Sequence, residues 1–286
     1  MTQRVGVVGC GIMGSGIAEV CARAGCDVVV REVDAGMIER ARARIEKSMQ
    51  RGVRSGKLSE EVVENALGRI RYAADLGELH DREVVIEAVI ESEQEKVSVF
   101  AALDEVLERQ DAILASNTSS IPIMNLAMAT RRPEMVCGMH FFNPVPVLEL
   151  VELVASLLTS PETGERVASF AEEVLGKRVI RSQDRAGFIV NMLLIPYLLS
   201  AIRMVESGFA TKEDIDSGMV KGCNHPMGPL ALADLIGLDT TLAVAESLYA
   251  EFKEPLYAPA PLLSRMVQAG LLGRKAGRGF YEYAAK

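Results

Sequence analysis

One histidine and one glutamate in this chain are placed where they could form a proton-transfer pair. His140 follows the apolar run 136–139 and opens the rigid, proline-containing segment 141–146. Glu152 lies in the apolar run 150–154, where an unpaired carboxylate would be costly to bury. The pKa of a histidine is about 6.5, so an imidazole steadied by a carboxylate can take the proton of an alcohol as a carbonyl forms. The alternative is that Glu152 faces solvent on an edge strand.

The two other histidines have more ordinary interpretations. His80 lies in a polar turn before a strand and is expected to be solvated. His225 lies in a proline-bounded loop between helices, and a helix-capping or substrate-lining role is favoured for it over catalysis. His140 is therefore the candidate base.

A glycine-rich turn near the start of the chain predicts a dinucleotide site. Gly9, Gly11 and Gly14 follow the apolar run 5–8 and precede an apolar helix, and Glu32 ends the next apolar run. Such glycines allow a sharp turn, close approach of backbone N–H groups to a pyrophosphate, and tight packing of helix on strand. The helix N-terminus attracts phosphates, and the acid can bind a ribose. The alternative is a tight turn that binds no ligand.

Small polar residues follow a further strand, in the segment 115–120. Asn117 and Ser119 could hydrogen-bond a substrate oxygen or a ribose from the carboxyl end of that strand. They could equally cap the following helix, and the residues alone favour capping.

Composition narrows the class of protein. The 286 residues carry a net charge of −8, which argues against a nucleic-acid partner. Five cysteines without a CxxC pair indicate reduced thiols, with neither a disulfide framework nor a metal site. The first strand is expected to begin too early to leave room for a signal sequence, and the apolar stretch 192–202 is too short to span a bilayer. We therefore expect a cytoplasmic protein that does not bind a membrane.

The apolar runs also predict the elements that would position these side chains. As far as about residue 182, short runs alternate with amphipathic segments, which is typical of βαβ units in a mostly parallel, doubly wound sheet of the Rossmann type. Strands are predicted at residues 4–8, 27–31, 84–88, 112–115, 135–139, 147–154 and 178–180. Helices are predicted at residues 12–24, 36–51, 59–67, 92–107 and 161–175.

Beyond residue 187 the strand pattern is absent. Helices are predicted at 188–205, after an N-cap at Thr211, at 229–248 and at 261–269. We therefore expect an α/β fold with an N-terminal, dinucleotide-binding Rossmann-type domain, residues 1–184, followed by an all-helical C-terminal domain, residues 185–286. The helix at 188–205 is apolar on more than one face, which predicts that it contributes to a homodimer interface.

A set of motifs, in one order along the chain, carries a family resemblance. They are GCGIMGSG at 9–16, NTSS at 117–120, HFFNPVP at 140–146, LVE at 150–152, GFIVN at 187–191, HPMGP at 225–229 and GRGFY at 277–281. With them the chain resembles the 3-hydroxyacyl-CoA dehydrogenases, most of all the short, single-function bacterial 3-hydroxybutyryl-CoA dehydrogenases. The resemblance runs from end to end, and HFFNPVP is a highly specific part of it.

The resemblance implies an enzyme that oxidises a (3S)-3-hydroxyacyl-CoA to the 3-oxoacyl-CoA with NAD, or runs the reverse reaction, and that dimerises through its C-terminal domain. It implies that His140 is the general base, that Glu152 orients it, and that Ser119 contacts the 3-oxygen of the acyl-CoA. Asn191 matches an active-site asparagine. For the segment 117–120 this functional role replaces the capping role. Cofactor contacts are implied for Gly9, Gly11, Ile12, Met13, Gly14, Glu32, Glu91, Lys96, Asn117, Ser119, Asn143 and Lys275.

Two positions depart from the family pattern. Many members carry aspartate where this chain has Glu32, with Arg31 beside it. A glutamate still binds ribose hydroxyls and repels a 2′-phosphate, which favours NAD, while the adjacent arginine leaves some use of NADP(H) open.

The second departure lies in the hairpin that would bind CoA. Ser48 matches the family, but Ser55 stands where well-known members have lysine. Arg51, Arg54 and Lys57 could bind the CoA phosphates instead, or could simply belong to a solvated helix face.

Two other functions are compatible with parts of this pattern. One is a dehydrogenase of a free hydroxy or sugar acid on the same fold, and the other is a nucleotide-binding protein without catalysis. The joint presence of His140, Glu152, Ser119 and Asn191 argues against the second.

Overall fold

The computed structural model describes residues 2–284 and divides into two compact units, the first ending at Arg185 and the second beginning at Ala186. The first unit is built around a β-sheet, and the second is built of helices.

An eight-stranded sheet forms the centre of the first unit. Its strands are β1 (Arg4–Val8), β2 (Asp27–Arg31), β3 (Ile70–Ala73), β4 (Val84–Glu87), β5 (Ile113–Ser116), β6 (Val136–Phe141), β7 (Leu150–Ala155) and β8 (Arg178–Gln183). They run in the order β3-β2-β1-β4-β5-β6-β7-β8, and each neighbouring pair is parallel except β6 and β7. The prediction of a mostly parallel, doubly wound sheet is confirmed. The strand order reverses at β1 and β4, and open sheets bind ligands at the carboxyl edge beside such a reversal.

The strands β4, β5 and β6 are buried along their whole length. Continuous apolar runs of this kind are typical of a parallel sheet covered by helices on both faces. The polar side chains within these strands, among them Glu87, Ser116 and His140, are therefore buried as well and require polar partners.

The helices of the first unit largely follow their predicted positions. They are α1 (Ile12–Arg23), α2 (Ala35–Arg54), α3 (Glu60–Leu67), α4 (Glu93–Val106), α5 (Ile123–Ala127) and α6 (Pro161–Ser169). Side chains satisfy several helix starts: Asp34 accepts a hydrogen bond from the N–H of Met37 at α2, and Ser59 accepts one from the N–H of Val62 at α3.

Three details of the sequence prediction are wrong for the first unit. The strand β3 was not predicted, because it has only four residues and its Arg71 is exposed. His140 lies inside β6 rather than after it, since β6 continues to Phe141 in register with β7. The helix predicted at 161–175 ends as an α-helix at Ser169 and continues as a π-helix over Phe170–Val174.

The second unit contains α7 (Val190–Glu206), α8 (Lys212–Gly222), α9 (Pro229–Ile236), α10 (Leu238–Phe252) and α11 (Pro261–Gln268). The prediction of a helical C-terminal domain is confirmed, and Thr211 caps α8 by accepting from the N–H of Asp214. The single helix predicted at 229–248 is wrong, because Gly237 adopts a φ of 107° and separates α9 from α10. Within residues 2–284, no helix has both the length and the apolar character needed to cross a membrane.

A buried aspartate fixes the end of the described chain in the second unit. Asp234 on α9 accepts hydrogen bonds from the N–H groups of Phe280 and Tyr281 and from the hydroxyl of Tyr283. A Cβ at Gly279 would lie 2.0 Å from the Asp234 carboxylate, so the glycine lets the backbone approach this closely. The GRGFY motif is therefore explained in part by packing on Asp234.

Candidate active site

The first feature of the site is a buried histidine–carboxylate pair. His140 on β6 and Glu152 on β7 are directly opposite each other in the antiparallel ladder, so both side chains lie on the same face of the sheet. The His140 Nδ1 atom lies 2.6 Å from the Glu152 Oε2 atom. Glu152 is fully buried, and β7 is flanked by β6 and β8, so the alternative of a solvent-facing carboxylate on an edge strand is wrong. This geometry orients the imidazole and can stabilise its protonated form.

The loop after β5 packs against this pair. The Asn117 Oδ1 atom accepts a hydrogen bond of 2.9 Å from the N–H of Phe141, the residue after His140. The start of α5 is capped elsewhere in the chain, because Asp184 accepts from the N–H groups of Ile123 and Met124. The residue types alone had suggested that this loop caps α5, and that prediction is wrong.

Glu91 holds the same loop from the other side. Its Oε1 atom accepts from the hydroxyl of Thr118 at 2.5 Å and from the N–H of Ser119 at 3.0 Å. Burial would raise the pKa of the Glu91 carboxyl, but the Lys96 ammonium and these hydrogen bonds outweigh it and hold the pKa below its usual value. Glu91 is therefore a carboxylate at neutral pH.

Lys96 is buried between two carboxylates. Its Nζ atom lies 2.7 Å from Glu87 and 3.3 Å from Glu91, and its side chain is only 1% exposed. This burial leaves little surface for direct contact with a dinucleotide, although the lysine supports Glu91, which is 40% exposed.

The glycine turn contains two positions explained by packing and one that is not. A Cβ at Gly9 would lie 2.8 Å from the carbonyl oxygen of Ala88, and a Cβ at Gly14 would lie 1.9 Å from that of Gly9. A Cβ at Gly11 would meet no atom within 4 Å, and its φ of −64° is open to any residue. Packing within the described residues therefore does not explain the glycine at position 11.

Glu32 lies at the end of β2, facing this turn. It is 5% exposed and accepts hydrogen bonds from the N–H of Cys10 at 2.6 Å and from the N–H of Val33 at 3.1 Å. Arg31 is engaged by the carbonyl of Ala74, and Arg44 on α2 donates to the carbonyl of Cys10 at 2.6 Å. The turn is thus held between a carboxylate and a guanidinium.

Three exposed apolar side chains line the carboxyl edge of the sheet. Ile12 after β1, Val33 after β2 and Ile90 after β4 are 67%, 64% and 72% exposed. Exposed apolar residues gathered beside polar groups are typical of a ligand-binding surface. Met13 follows Ile12 in the first turn of α1 and is partly buried, and Asn143 is exposed in the β6–β7 connection.

The basic residues at the end of α2 are open to solvent. Ser48 is partly buried, whereas Arg51, Arg54 and Lys57 are exposed. None of these three cations forms an ion pair with any residue in the range 2–284. An anionic ligand would therefore not have to displace an internal carboxylate from them.

The remaining candidates divide between the two units. In the second unit, Asn191 lies in the first turn of α7, and the exposed Lys275 lies 2.6 Å from Asp239. The hydroxyl of Tyr197 lies 3.2 Å from His225 Nδ1, so this histidine has a neighbour on α7. His80 is exposed in the first unit, as predicted.

Three residues near the site were not singled out from the sequence. Glu87 is a carboxylate at the end of the apolar run VVIE, and the argument that pointed to Glu152 applies equally to it. Thr118 and Arg44 carried no comparable signal, because a threonine in a loop and an arginine in a charged helix are common.

Comparison with known proteins gives a consistent result along the chain. Residues 4–185 match the family model described as 3-hydroxyacyl-CoA dehydrogenase, NAD binding domain, and residues 187–283 match the C-terminal domain of the same family. A 3-hydroxybutyryl-CoA dehydrogenase of Mycobacterium tuberculosis is 59% identical over 281 residues, which cover 98% of each chain.

Solved structures agree with these matches. The crystal structure of FadB2 from M. tuberculosis has a TM-score of 0.98 at 59% identity and covers 99% of each chain. That of (S)-3-hydroxybutyryl-CoA dehydrogenase PaaH1 from Ralstonia eutropha has a TM-score of 0.94 at 44% identity and covers 100% of each chain.

Proposed function

The chain belongs to the 3-hydroxyacyl-CoA dehydrogenase family, and on this basis we propose that it interconverts (3S)-3-hydroxybutyryl-CoA and acetoacetyl-CoA with NAD(H). It is an NAD-dependent oxidoreductase of acyl-CoA thioesters. NAD, when bound, accepts the hydride that leaves C3 of the hydroxyacyl chain. The residues of the chain bind and orient the reactants and move the accompanying proton.

His140 is proposed to transfer the proton. With Nδ1 engaged by Glu152, the imidazole takes the hydroxyl proton at Nε2 as the C3–O bond becomes a carbonyl, and it returns that proton in the reverse direction. Glu152 fixes the orientation of the ring and stabilises the imidazolium. The distance of 2.6 Å between these two buried side chains is the observation that carries the proposed function.

Ser119 is proposed to contact the substrate. The Ser119 hydroxyl would donate to the 3-oxygen of the acyl-CoA, and its N–H is held by Glu91. Asn191 keeps the active-site role that the family resemblance gives it.

The cofactor is proposed to bind along the carboxyl edge of β1, β2 and β4. Gly9, Gly11 and Gly14 would admit the pyrophosphate at the start of α1, with Ile12 and Met13 beside it, and Glu32 would accept from the ribose hydroxyls. The Glu32 carboxylate would repel a 2′-phosphate, which favours NAD over NADP, and two backbone N–H groups hold this carboxylate in place. The remaining cofactor contacts are proposed for Glu91, Asn117, Ser119, Asn143 and Lys275, with Lys96 acting through Glu91.

The CoA portion is proposed to bind at the end of α2. Ser48 would hydrogen-bond the nucleotide, and Arg51, Arg54 and Lys57, which lack internal carboxylate partners within the described residues, would bind its phosphates.

A homodimer and a cytoplasmic location are part of the same proposal. Leu193 on α7 is 72% exposed, and Phe209, which follows the end of α7, is 76% exposed. These side chains support an apolar contact surface on the second unit. The free thiols of Cys10, Cys21 and Cys137 are buried, as is common in proteins of a reducing compartment. Light scattering after size exclusion should give twice the 31.0 kDa chain mass, and a monomer at micromolar concentration would contradict the dimer.

The decisive test is a substrate panel. Acyl-CoA thioesters of four to sixteen carbons are assayed with NADH and with NADPH, beside free hydroxy acids such as L-gulonate. We expect turnover of acetoacetyl-CoA with NADH. Turnover of a free acid but of no thioester would overturn the proposal.

A further inference from the structure

Glu87 is a fully buried carboxylate at the carboxyl edge of the sheet. It ends β4 and lies in register between Val8 of β1 and Ser116 of β5. A charge buried there is strongly unfavourable unless it is paired and hydrogen-bonded. Its partners therefore indicate what the carboxylate holds in place.

One partner connects Glu87 to the glycine turn. The Glu87 Oε1 atom accepts from the N–H of Val89 at 2.6 Å. The turn packs on this same peptide, because a Cβ at Gly9 would lie 2.8 Å from the Val89 nitrogen. The carboxylate thus fixes the surface on which the proposed pyrophosphate turn rests.

A second partner connects Glu87 to the loop that carries Ser119. The Ser116 hydroxyl donates to Glu87 Oε2 at 2.6 Å and accepts from the N–H of Thr118 at 3.1 Å. The backbone carbonyl of Glu87 also accepts from the N–H of Asn117. The first turn after β5 is therefore set by Glu87 through both its side chain and its backbone.

The third partner is Lys96, which extends the network to Glu91. The Lys96 ammonium lies 2.7 Å from Glu87 and 3.3 Å from Glu91. Glu91 in turn accepts from the N–H of Ser119 at 3.0 Å. Ser119 is thus reached from Glu87 by two routes, one through Ser116 and one through Lys96.

We propose that Glu87 is a positioning residue that holds the dinucleotide turn, the Ser119 loop and Glu91 in one arrangement. The proposal rests on the proposed function, because it takes Ser119 and the glycine turn as parts of the site. Glu87 itself is sealed from solvent and touches no reactant.

A matched control is available on the same helix. Lys96 lies in the first turn of α4, and Asp104, which is 4% exposed, lies near its end and is paired with Arg131 and Arg132. Both carboxylates anchor α4 through buried ion pairs, but Asp104 has no contact with the glycine turn or with the Ser119 loop. A merely structural role would make the two residues equivalent.

The test compares Glu87→Gln, Ser116→Ala and Asp104→Asn with the unchanged protein. Thermal unfolding is followed by circular dichroism, and kcat and KM are measured for acetoacetyl-CoA and for NADH. For Glu87→Gln we expect kcat/KM for acetoacetyl-CoA to fall at least tenfold and KM for NADH to rise at least threefold. For Ser116→Ala, which leaves the Val89 and Lys96 contacts intact, we expect kcat to fall at least fivefold while KM for NADH stays within twofold. Asp104→Asn should lower Tm with both kinetic constants within twofold.

The outcomes separate this proposal from the proposed function. If Glu87→Gln and Ser116→Ala lower Tm but keep kinetic constants within twofold, the positioning role is overturned. If Glu87→Gln does not fold, the split between kcat and KM in Ser116→Ala decides alone. If the unchanged protein does not turn over acetoacetyl-CoA, the proposed function fails, and the positioning role of Glu87 is then tested by the NADH affinity, measured by calorimetry. An affinity at least threefold weaker for Glu87→Gln than for Asp104→Asn supports that role, and equal affinities overturn it.

Discussion

Buried carboxylates occur at both edges of the sheet, and their partners differ. At the amino edge, Asp104 pairs with Arg131 and Arg132, and Arg132 also donates to the carbonyl groups of Asp104, Leu107 and Arg109. At the carboxyl edge, Glu32 and Glu87 accept hydrogen bonds from backbone N–H groups of loops, and Glu152 holds an imidazole.

The partners of the buried carboxylates indicate a role in stability at the amino edge and a role in the proposed chemistry at the carboxyl edge. A guanidinium remains protonated in proteins, so a pair such as Asp104–Arg132 is a permanent tie between elements. Imidazoles exchange protons near neutral pH, and loop amides are the groups that bind phosphates and substrates. Buried carboxylates thus tie α4 to the segment before β6 at the amino edge, whereas at the carboxyl edge they hold loops of the proposed site, with Glu87 also paired with Lys96 on α4.

The largest effect should come from removing the proposed base, His140, at the carboxyl edge. For His140→Ala we expect kcat to fall by about 10³-fold or more, within the range for loss of a general base. The dissociation constant for NADH, measured by calorimetry, should stay within about threefold, because the proposed cofactor contacts lie elsewhere. A variant with near-normal kcat would show that another group takes the proton.

Removing the Glu152 charge that is proposed to orient this base should have the next largest effect. Glu152→Gln keeps the volume of the side chain but cannot stabilise an imidazolium, so we expect kcat to fall by about 10²-fold with little change in KM for NADH. Steady-state kinetics in both reaction directions check this. Unchanged turnover would mean that the carboxylate is only a structural partner of His140.

At the amino edge the same kind of substitution should alter stability instead. Asp104→Asn is expected to lower the free energy of unfolding by about 2 kcal/mol. Breaking an ion pair that is fully buried costs roughly 3–5 kcal/mol, and the loss here should be smaller because Arg131 is largely exposed. Catalysis should be unchanged. A loss of kcat would contradict the contrast between the two edges.

The contribution of the Asp104 ion pairs to the free energy of unfolding should also depend on pH. Burial would raise the pKa of the Asp104 carboxyl, but hydrogen bonds from Arg131 and Arg132 hold it below its usual value in the folded state. Because the folded pKa is lower than the unfolded one, the contribution is present above the unfolded pKa of about 3.9 and is lost as the pH falls through the folded pKa. The difference in Tm between Asp104→Asn and the unchanged protein should therefore shrink below about pH 4.

The smallest effect is expected where a cation touches the glycine turn. Arg44→Met removes the hydrogen bond to the carbonyl of Cys10, and we expect KM for NADH to rise about threefold with kcat unchanged. Arg40→Met, an exposed position on the same helix, serves as the control. Equal constants for the two variants would exclude a role for Arg44 in shaping the turn.

The sequence predicts this architecture well where one physical rule dominates. Continuous apolar runs identified most of the parallel sheet, and the cost of an unpaired carboxylate in such a run correctly joined Glu152 to His140. The same cost applied to Glu87, whose partners Lys96 and Ser116 come from two other elements and cannot be read from a local pattern. The strand β3 was missed because a short edge strand with an exposed arginine has no continuous apolar run.

The His140–Glu152 contact is fixed by a backbone ladder and not by a loop. These residues face each other in the one antiparallel pair among the described strands, so their separation is set by main-chain register. The connecting residues 142–149 do not set this separation, although Phe142 packs on the His140 ring with the ring centroids 4.6 Å apart. A slip of β7 by one residue against β6 would turn the Glu152 side chain to the opposite face of the sheet and leave His140 without its carboxylate.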